Sequence, residues 1–163
     1  TKLGLEEIWW IISKKNPLKK NISPYEERVE RAKKFVRGNK IRIIEIDDLE
    51  KTIYTVDLVD YLHRKFPKKK FIWMVGIDNL KKFHTWKDWK KIFCNIPIAI
   101  FDRPSYSLNV VQSKALSFFR NRRIKSLSVK RFKYMKPPSW VFVTGVTSTE
   151  SSTNLRLKNE PKF

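Results

Sequence analysis

Short apolar runs alternate with amphipathic stretches along this chain, and that rhythm predicts strands and helices taking turns. IWWII at 8–12 reads as a short buried parallel strand. The polar SKKNPLKK at 13–20 centres on Asn-Pro and reads as a loop. SPYE at 23–26 has the form of a helix start, with Ser23 as N-cap, Pro24 at the first helical position and Glu26 closing a capping box. That helix is predicted over 24–36 and stops near Gly38. Residues 41–46 read as the next strand. Residues 52–65 read as a helix with Val56, Leu58, Val59 and Leu62 on one face, ended by Pro67. Further strands are expected at 71–75, 97–101 and 140–143, and helices over 86–93, 112–123 and 151–157. The segment 125–138 is the least regular and reads as a surface insertion. Strict alternation of this kind predicts an α/β fold, a mostly parallel sheet with helices on both faces. At 163 residues the chain suits one domain with a real core.

Composition sharpens this in two ways. With 41% hydrophobic and 13% aromatic residues, global disorder is excluded. No apolar run approaches the roughly 20 residues needed to cross a bilayer, and IWWII lacks a signal-peptide cleavage pattern, so a soluble, cytoplasmic chain is expected. The single cysteine, Cys94, rules out an internal disulfide and a CxxC metal site; in its apolar context it reads as packing. Lys and Arg total 36 against 16 acids, a formal charge of +20. Such a balance ordinarily suggests nucleic acid. Here the lysines are scattered in pairs along a chain rich in Lys, Ile, Asn and Phe, a composition that A/T-rich codons supply. The expectation is small phosphorylated ligands, with a basic nucleic-acid-binding module as the rival.

The candidate chemistry lies at 71–89, FIWMVGIDNLKKFHTWKDW. A buried strand ending in a glycine turn at Gly76 presents Asp78 at its carboxyl end, where open α/β sheets bind ligands. Phe83, His84, Trp86 and Trp89 follow at once. Flat rings beside a strand-end carboxylate suit a planar base and a ribose, although each ring taken singly reads as core. A second candidate is SSTNLR at 151–156, where three hydroxyl residues at a helix start and Arg156 one turn on form a plausible anion cradle. His63, at the basic end of its helix, reads as solvated. Asp47 and Asp48 read as loop carboxylates. A single His84 makes neither a metal site nor a triad, and there is no GxxxxGK[ST] or GxGxxG.

GLEEIWWIIS with KNPLK (4–19), YTVDLVDYL (54–62), the 71–93 segment, IPIAIFDRPSY (96–106), WVFVTG (140–145) and SSTNLR (151–156) run in one order across nearly the whole chain. Together they resemble the bacterial nicotinate-nucleotide adenylyltransferases, HIGH-motif nucleotidyltransferases with a Rossmann-like fold. The resemblance implies adenylyl transfer from ATP to nicotinate mononucleotide in NAD synthesis, giving the deamido dinucleotide and pyrophosphate, with Mg²⁺ carried on the substrate. Gly76 and Asp78 would contact the nucleotide, Asp78 through ribose hydroxyls. Trp86 would stack on the nicotinate ring, with Thr55 and the backbone beside it at Thr85 holding the ring's carboxylate. Asn16 and Lys19 would line the loop over nicotinate mononucleotide, and Ser152, Thr153 and Arg156 would hold the ATP phosphates. Related enzymes using nicotinamide mononucleotide or pantetheine phosphate are the nearer rivals; HTWKDW and SSTNLR favour nicotinate.

Two departures stand out. The family's first strand ends in GxFxPxHxGH, whose histidines bind the ATP phosphates, and nothing in this sequence matches it. The expectation is therefore a single domain over 1–163 lacking the first strand and its HxGH segment, with little turnover alone, because this chemistry is positioning plus charge stabilisation. Glu150, next to the proposed cradle, is an acid where the family has an apolar or small residue.

Overall fold

A computed structural model describes residues 2–13, 23–36, 38–46, 54–102 and 113–145. Strands and helices alternate as β1 (Ile8–Ile11), α1 (Tyr25–Phe35), β2 (Ile41–Ile44), α2 (Thr55–Lys65), β3 (Trp73–Gly76), α3 (Ile77–Leu80), α4 (Trp89–Asn95), β4 (Ile98–Phe101), α5 (Lys114–Phe118), β5 (Arg123–Ile124) and β6 (Trp140–Val143). Every strand pairing is parallel, with β1 on β2 in one sheet and the order β3-β4-β6-β5 in the other.

Period-2 alternation assigns the faces. On β1, Ile12 just past the strand packs with Ile43, Val29 and Ala32 under α1, whereas Trp9 and Ile11 join Leu58 and Leu62 of α2. In the larger sheet Val75, Ile98, Ile100, Trp140 and Phe142 face the helices. Ala99, Val141 and Val143 face Leu3 and Phe132 on the other side. Strands β1 and β3 are not bonded to each other. They nevertheless share one apolar cluster, in which Trp9 and Phe71 meet edge-on at 5.3 Å. Trp10 on β1 and Met74 on β3 stay 41% and 39% exposed, so both strands are less fully covered than their apolar runs imply.

Several local expectations give way to tertiary contacts. The capping box at 23–26 does not form: Pro24 takes the cap position without a side-chain bond. Arg28 instead donates to the carbonyls of Ser23 (3.0 Å) and Ser13 (2.7 Å), tying the helix start to the end of β1. The helix expected over 86–93 is a 3₁₀ turn at Phe83–Thr85 followed by α4, the chain turning at Asp88 in the left-handed region (φ 48°), which aspartate tolerates better than most residues. The helix expected over 112–123 stops at Phe118. There the Phe119 carbonyl accepts the Trp140 indole N–H at 2.8 Å, and its ring stacks on Phe93 at 4.4 Å. Cys94 is exposed, because α4 turns Ile92 and Phe93 inward instead.

The segment read as a surface insertion is part of the core. A 3₁₀ stretch at Ser126–Tyr134 lays Phe132, fully buried, on β6. Phe132→Ala should cost about 3–5 kcal/mol in urea unfolding; a loss under about 0.5 kcal/mol, the surface norm, would mean the segment is dispensable.

Glu7 links the strands at their amino ends. Its carboxylate accepts from Trp9, then from Lys69 (3.3 Å) and Arg42 (3.4 Å), and these partners hold its pKa below the ordinary value. A depressed folded-state pKa stabilises the fold above the ordinary carboxylate range, and that contribution is lost as pH falls through it. Glu7→Gln should therefore lower the melting temperature more at pH 7 than at pH 3. Equal effects at both values would contradict the ionic origin.

Candidate functional site

The carboxyl ends of β3 and β4 and the start of α2 build the site. Gly76 ends β3 in an extended conformation (φ −75°, ψ 148°), so no left-handed glycine makes this turn; the chain turns because α3 starts at Ile77. Ile77 and Leu80 are buried, and this anchors Asp78 between them, half-buried, with Oδ1 inside. Asp102 follows β4 at the same sheet edge, its N–H donating to the Val143 carbonyl at 3.3 Å. Among the described residues no group of three His, Cys, Asp or Glu side chains comes together as a metal site.

The aromatic cluster divides between core and surface. Phe83 is fully buried, and Trp86 stacks on it at 4.6 Å with planes 23° apart. One face of Trp86 is thus fixed by the core, and a ligand ring would use the other. Trp89 meets Phe118 and Phe119 edge-on and packs against the same core. His84 is half-buried, and its Nδ1 makes no hydrogen bond among the described residues. The Thr85 hydroxyl donates to the Lys82 carbonyl at 2.8 Å, closing the turn that carries Trp86. His63 packs beside Phe71 rather than standing in solvent, with rings 6.2 Å apart.

Thr55 is the first residue of α2, half-buried and preceded by Tyr54. What joins it to the Trp86 turn is a residue that no sequence motif singles out. Lys87 reaches Asp57, in the first turn of α2, at 3.2 and 3.3 Å and lies 4.8 Å from the centre of the Tyr54 ring. Lys91 and Asn95 bind Asp60 one turn on, at 2.7 and 3.0 Å. The Lys87–Asp57 pair therefore ties the turn that carries Thr85 and Trp86 to the first turn of α2, which Thr55 begins, while Gly76 and Asp78 lie at the end of β3. Opposite charges next to Thr55 and next to Trp86 were the available signal, hidden by a separation of 30 residues. Asn16, Lys19, Asp47, Asp48, Glu150, Ser152, Thr153 and Arg156 lie outside the described residues.

A cytidylyltransferase-like family model matches residues 1–157. The chain belongs to that family. Within it, the chain belongs with the nicotinate-nucleotide adenylyltransferases. It is 34% identical over 157 residues to a probable nicotinate-nucleotide adenylyltransferase of Bradyrhizobium sp. (strain ORS 278), spanning 95% of this chain and 82% of that protein. It is 32% identical over 165 residues to the Brucella abortus (strain 2308) protein of the same name, spanning 98% and 85%. The fold is shared with Plasmodium falciparum nicotinic acid mononucleotide adenylyltransferase, solved with APC (TM-score 0.58) and with NaAD (TM-score 0.60). Identity there is 14%, and the match covers 91% of this chain but 63% of the Plasmodium chain. The family enzyme and its Rossmann-like architecture thus agree with the motifs at 71–93 and 140–145. No described helix of this adenylyltransferase-family chain is long and apolar enough to cross a membrane.

The Lys87–Asp57 pair is partly exposed, so its worth lies at the surface end of the scale. Lys87→Met should quicken amide hydrogen exchange at 83–89 by about two- to fivefold, as expected for losing up to about 1 kcal/mol locally. Unchanged exchange there would show that the pair does not hold the Trp86 turn.

Proposed function

We propose that Trp86 and Thr55 hold the nicotinate ring of nicotinate mononucleotide and that the β3 edge at Gly76 and Asp78 holds ATP, for transfer of the adenylyl group between them. The observation that carries this reading is the juxtaposition at the start of α2. A half-buried indole with one face set by Phe83 is followed directly by Lys87, which pairs with Asp57 in the first turn of α2. Free N–H groups in the first turn favour a carboxylate, and pairing Asp57 with an ammonium offsets the repulsion that the acid would otherwise exert there. Asp78 and the ribose hydroxyls match as acceptor and donors.

The 5′-phosphate of nicotinate mononucleotide attacks the α-phosphorus of ATP in line, and pyrophosphate leaves; no covalent enzyme intermediate is required. Mg²⁺ would be held by the substrate phosphates rather than by a protein cage, and would supply charge neutralisation for the pyrophosphate leaving group. The residues of this chain bind and orient: the indole fixes the ring plane, and Asp78 fixes the ribose. Ser152, Thr153 and Arg156 are proposed for the phosphates, and Asn16 and Lys19 for the loop over the nucleotide. A parallel strand seated between β1 and β3, bringing the HxGH histidines to the phosphates, is proposed as what full turnover requires; the unbonded neighbouring edges of β1 and β3 support it.

Trp86→Ala should weaken binding of nicotinate mononucleotide, titrated calorimetrically, by at least about fivefold, the low end of what one aromatic–base stack is worth. ATP affinity should hold within twofold. An unaltered nicotinate mononucleotide affinity would sink the assignment of the ring site.

A further inference from the structure

The stretch RNRRIKSLSVKRFKYMK at 120–136 carries eight cations and no carboxylate, and no Asp or Glu occurs anywhere between Asp102 and Glu150. In space this stretch is the β5 edge of the larger sheet, separated from the β3 site by β4 and β6. A 3₁₀ helix brings residues i and i+3 into register about 6 Å apart, and residues 129–134 use that period to sort their side chains. Val129 and Phe132 form the inward line, packed with Leu3, Val141 and Val143. Lys130 and Lys133 form a second line, and Arg131 and Tyr134 a third, with Lys130, Arg131 and Tyr134 exposed. Tyr134 is 66% exposed, with the Lys133 ammonium 5.1 Å from its ring centre. Beside this helix, on β5, the Arg123 guanidinium lies over the Trp140 ring at 5.4 Å.

The charge here is not merely the chain's general excess. Among the described residues, acids at Glu7, Glu27, Glu30, Asp57 and Asp60 pair with cations on or near β1, β2, α1, α2 and α4. None of the cations at 120–136 has an ion-pair partner among the described residues. A row of unpaired cations with an open aromatic ring set among them is the chemistry that tracks a phosphodiester backbone and stacks an unpaired base. We propose that the β5 edge and the 126–134 helix form a docking ledge for single-stranded nucleic acid, separate from the nucleotide site. A duplex offers the same phosphates without a free base face for Tyr134, which is why the strand is single.

The test is fluorescence anisotropy of a labelled mixed-sequence RNA of 20 nucleotides, across a salt series, with saturating ATP present. The double variant Lys130→Gln/Arg131→Gln should bind about tenfold more weakly. Its log K against log salt should be shallower by about 1.4, or 0.7 for each phosphate that is no longer neutralised. Lys68→Gln/Lys70→Gln removes the same charge from an exposed turn before β3 and should change affinity less than twofold. Tyr134→Ala should weaken binding by about fivefold or more with the salt slope unchanged. Equal losses in the two double variants would reduce the effect to net charge and overturn the ledge. So would displacement of the RNA by ATP, equal affinity for the matching duplex, or preference for phosphatidylglycerol vesicles over RNA. Binding of nicotinate mononucleotide by the ledge variants should stay at the wild-type level, so this proposal and the nucleotide-site assignment fail separately.

Discussion

Helix α2 has apolar side chains over more of its circumference than one sheet contact needs, and the two sheets depend on that. At 3.6 residues per turn, Val56, Val59, Leu62 and Leu58 sweep an arc of about 160°. One part of the arc, Val56 and Val59, enters the core of the four-stranded sheet; the other, Leu58 and Leu62, enters the cluster with Trp9 and Ile11 of β1. Because no backbone bond joins β1 to β3, this helix, with the Trp9–Phe71 and Trp9–Phe66 ring contacts, holds one sheet beside the other. Its first turn also supplies Thr55 and Asp57. The element that spaces the sheets therefore also carries Thr55 of the proposed ring site.

The site is continuous with the core, not laid over it. Phe83 and Phe93 meet edge-on at 5.4 Å, Phe93 stacks on Phe119, and Phe119 receives the Trp140 indole N–H through its carbonyl. This chain of contacts runs from the Trp86 turn across α4 and α5 to β6. Each ring is locked by the next, so the plane of Trp86 is set before any ligand arrives. Preorganisation of that kind reduces the ordering cost of binding. Core packing and the proposed ring site are therefore compatible readings of these aromatics, since Phe83 is buried in the core and covers only one face of Trp86.

The order of the strands is legible in the sequence because buried parallel strands appear as bare apolar runs, and each of the runs 8–12, 41–46, 71–75, 97–101 and 140–143 holds a strand. Boundaries shift where a distant partner intervenes. Helix α5 ends early where the Phe119 carbonyl accepts the Trp140 indole N–H, and Ser23 is not the cap because Pro24 takes that position. The 126–134 segment resembles an insertion because a 3₁₀ period puts only every third residue inward, a pattern that neither a 3.6 nor a 2.0 template detects. Within the site, Gly76, Asp78 and Trp86 can be read from one contiguous motif. Lys87 cannot, since its partner Asp57 lies on another element.

The distribution of acids explains why a net charge of +20 does not spread evenly over the surface. The chain has few carboxylates, and Glu7, Glu27, Glu30, Asp57 and Asp60 are held in ion pairs. Strand β5 is the edge of the four-stranded sheet opposite β3, and the β3 side is where β1 and α2 pack, so among the described residues a bias along the sequence becomes a difference between the two edges. A cationic edge strand also discourages pairing with a second sheet, which accounts for charge on β5 itself. That function would be served by cations on the strand alone. It gives no reason for Lys130 and Arg131 to continue the charge along a neighbouring helix, nor for an exposed tyrosine to sit among them. Those features are accounted for by a ligand that carries both phosphates and rings.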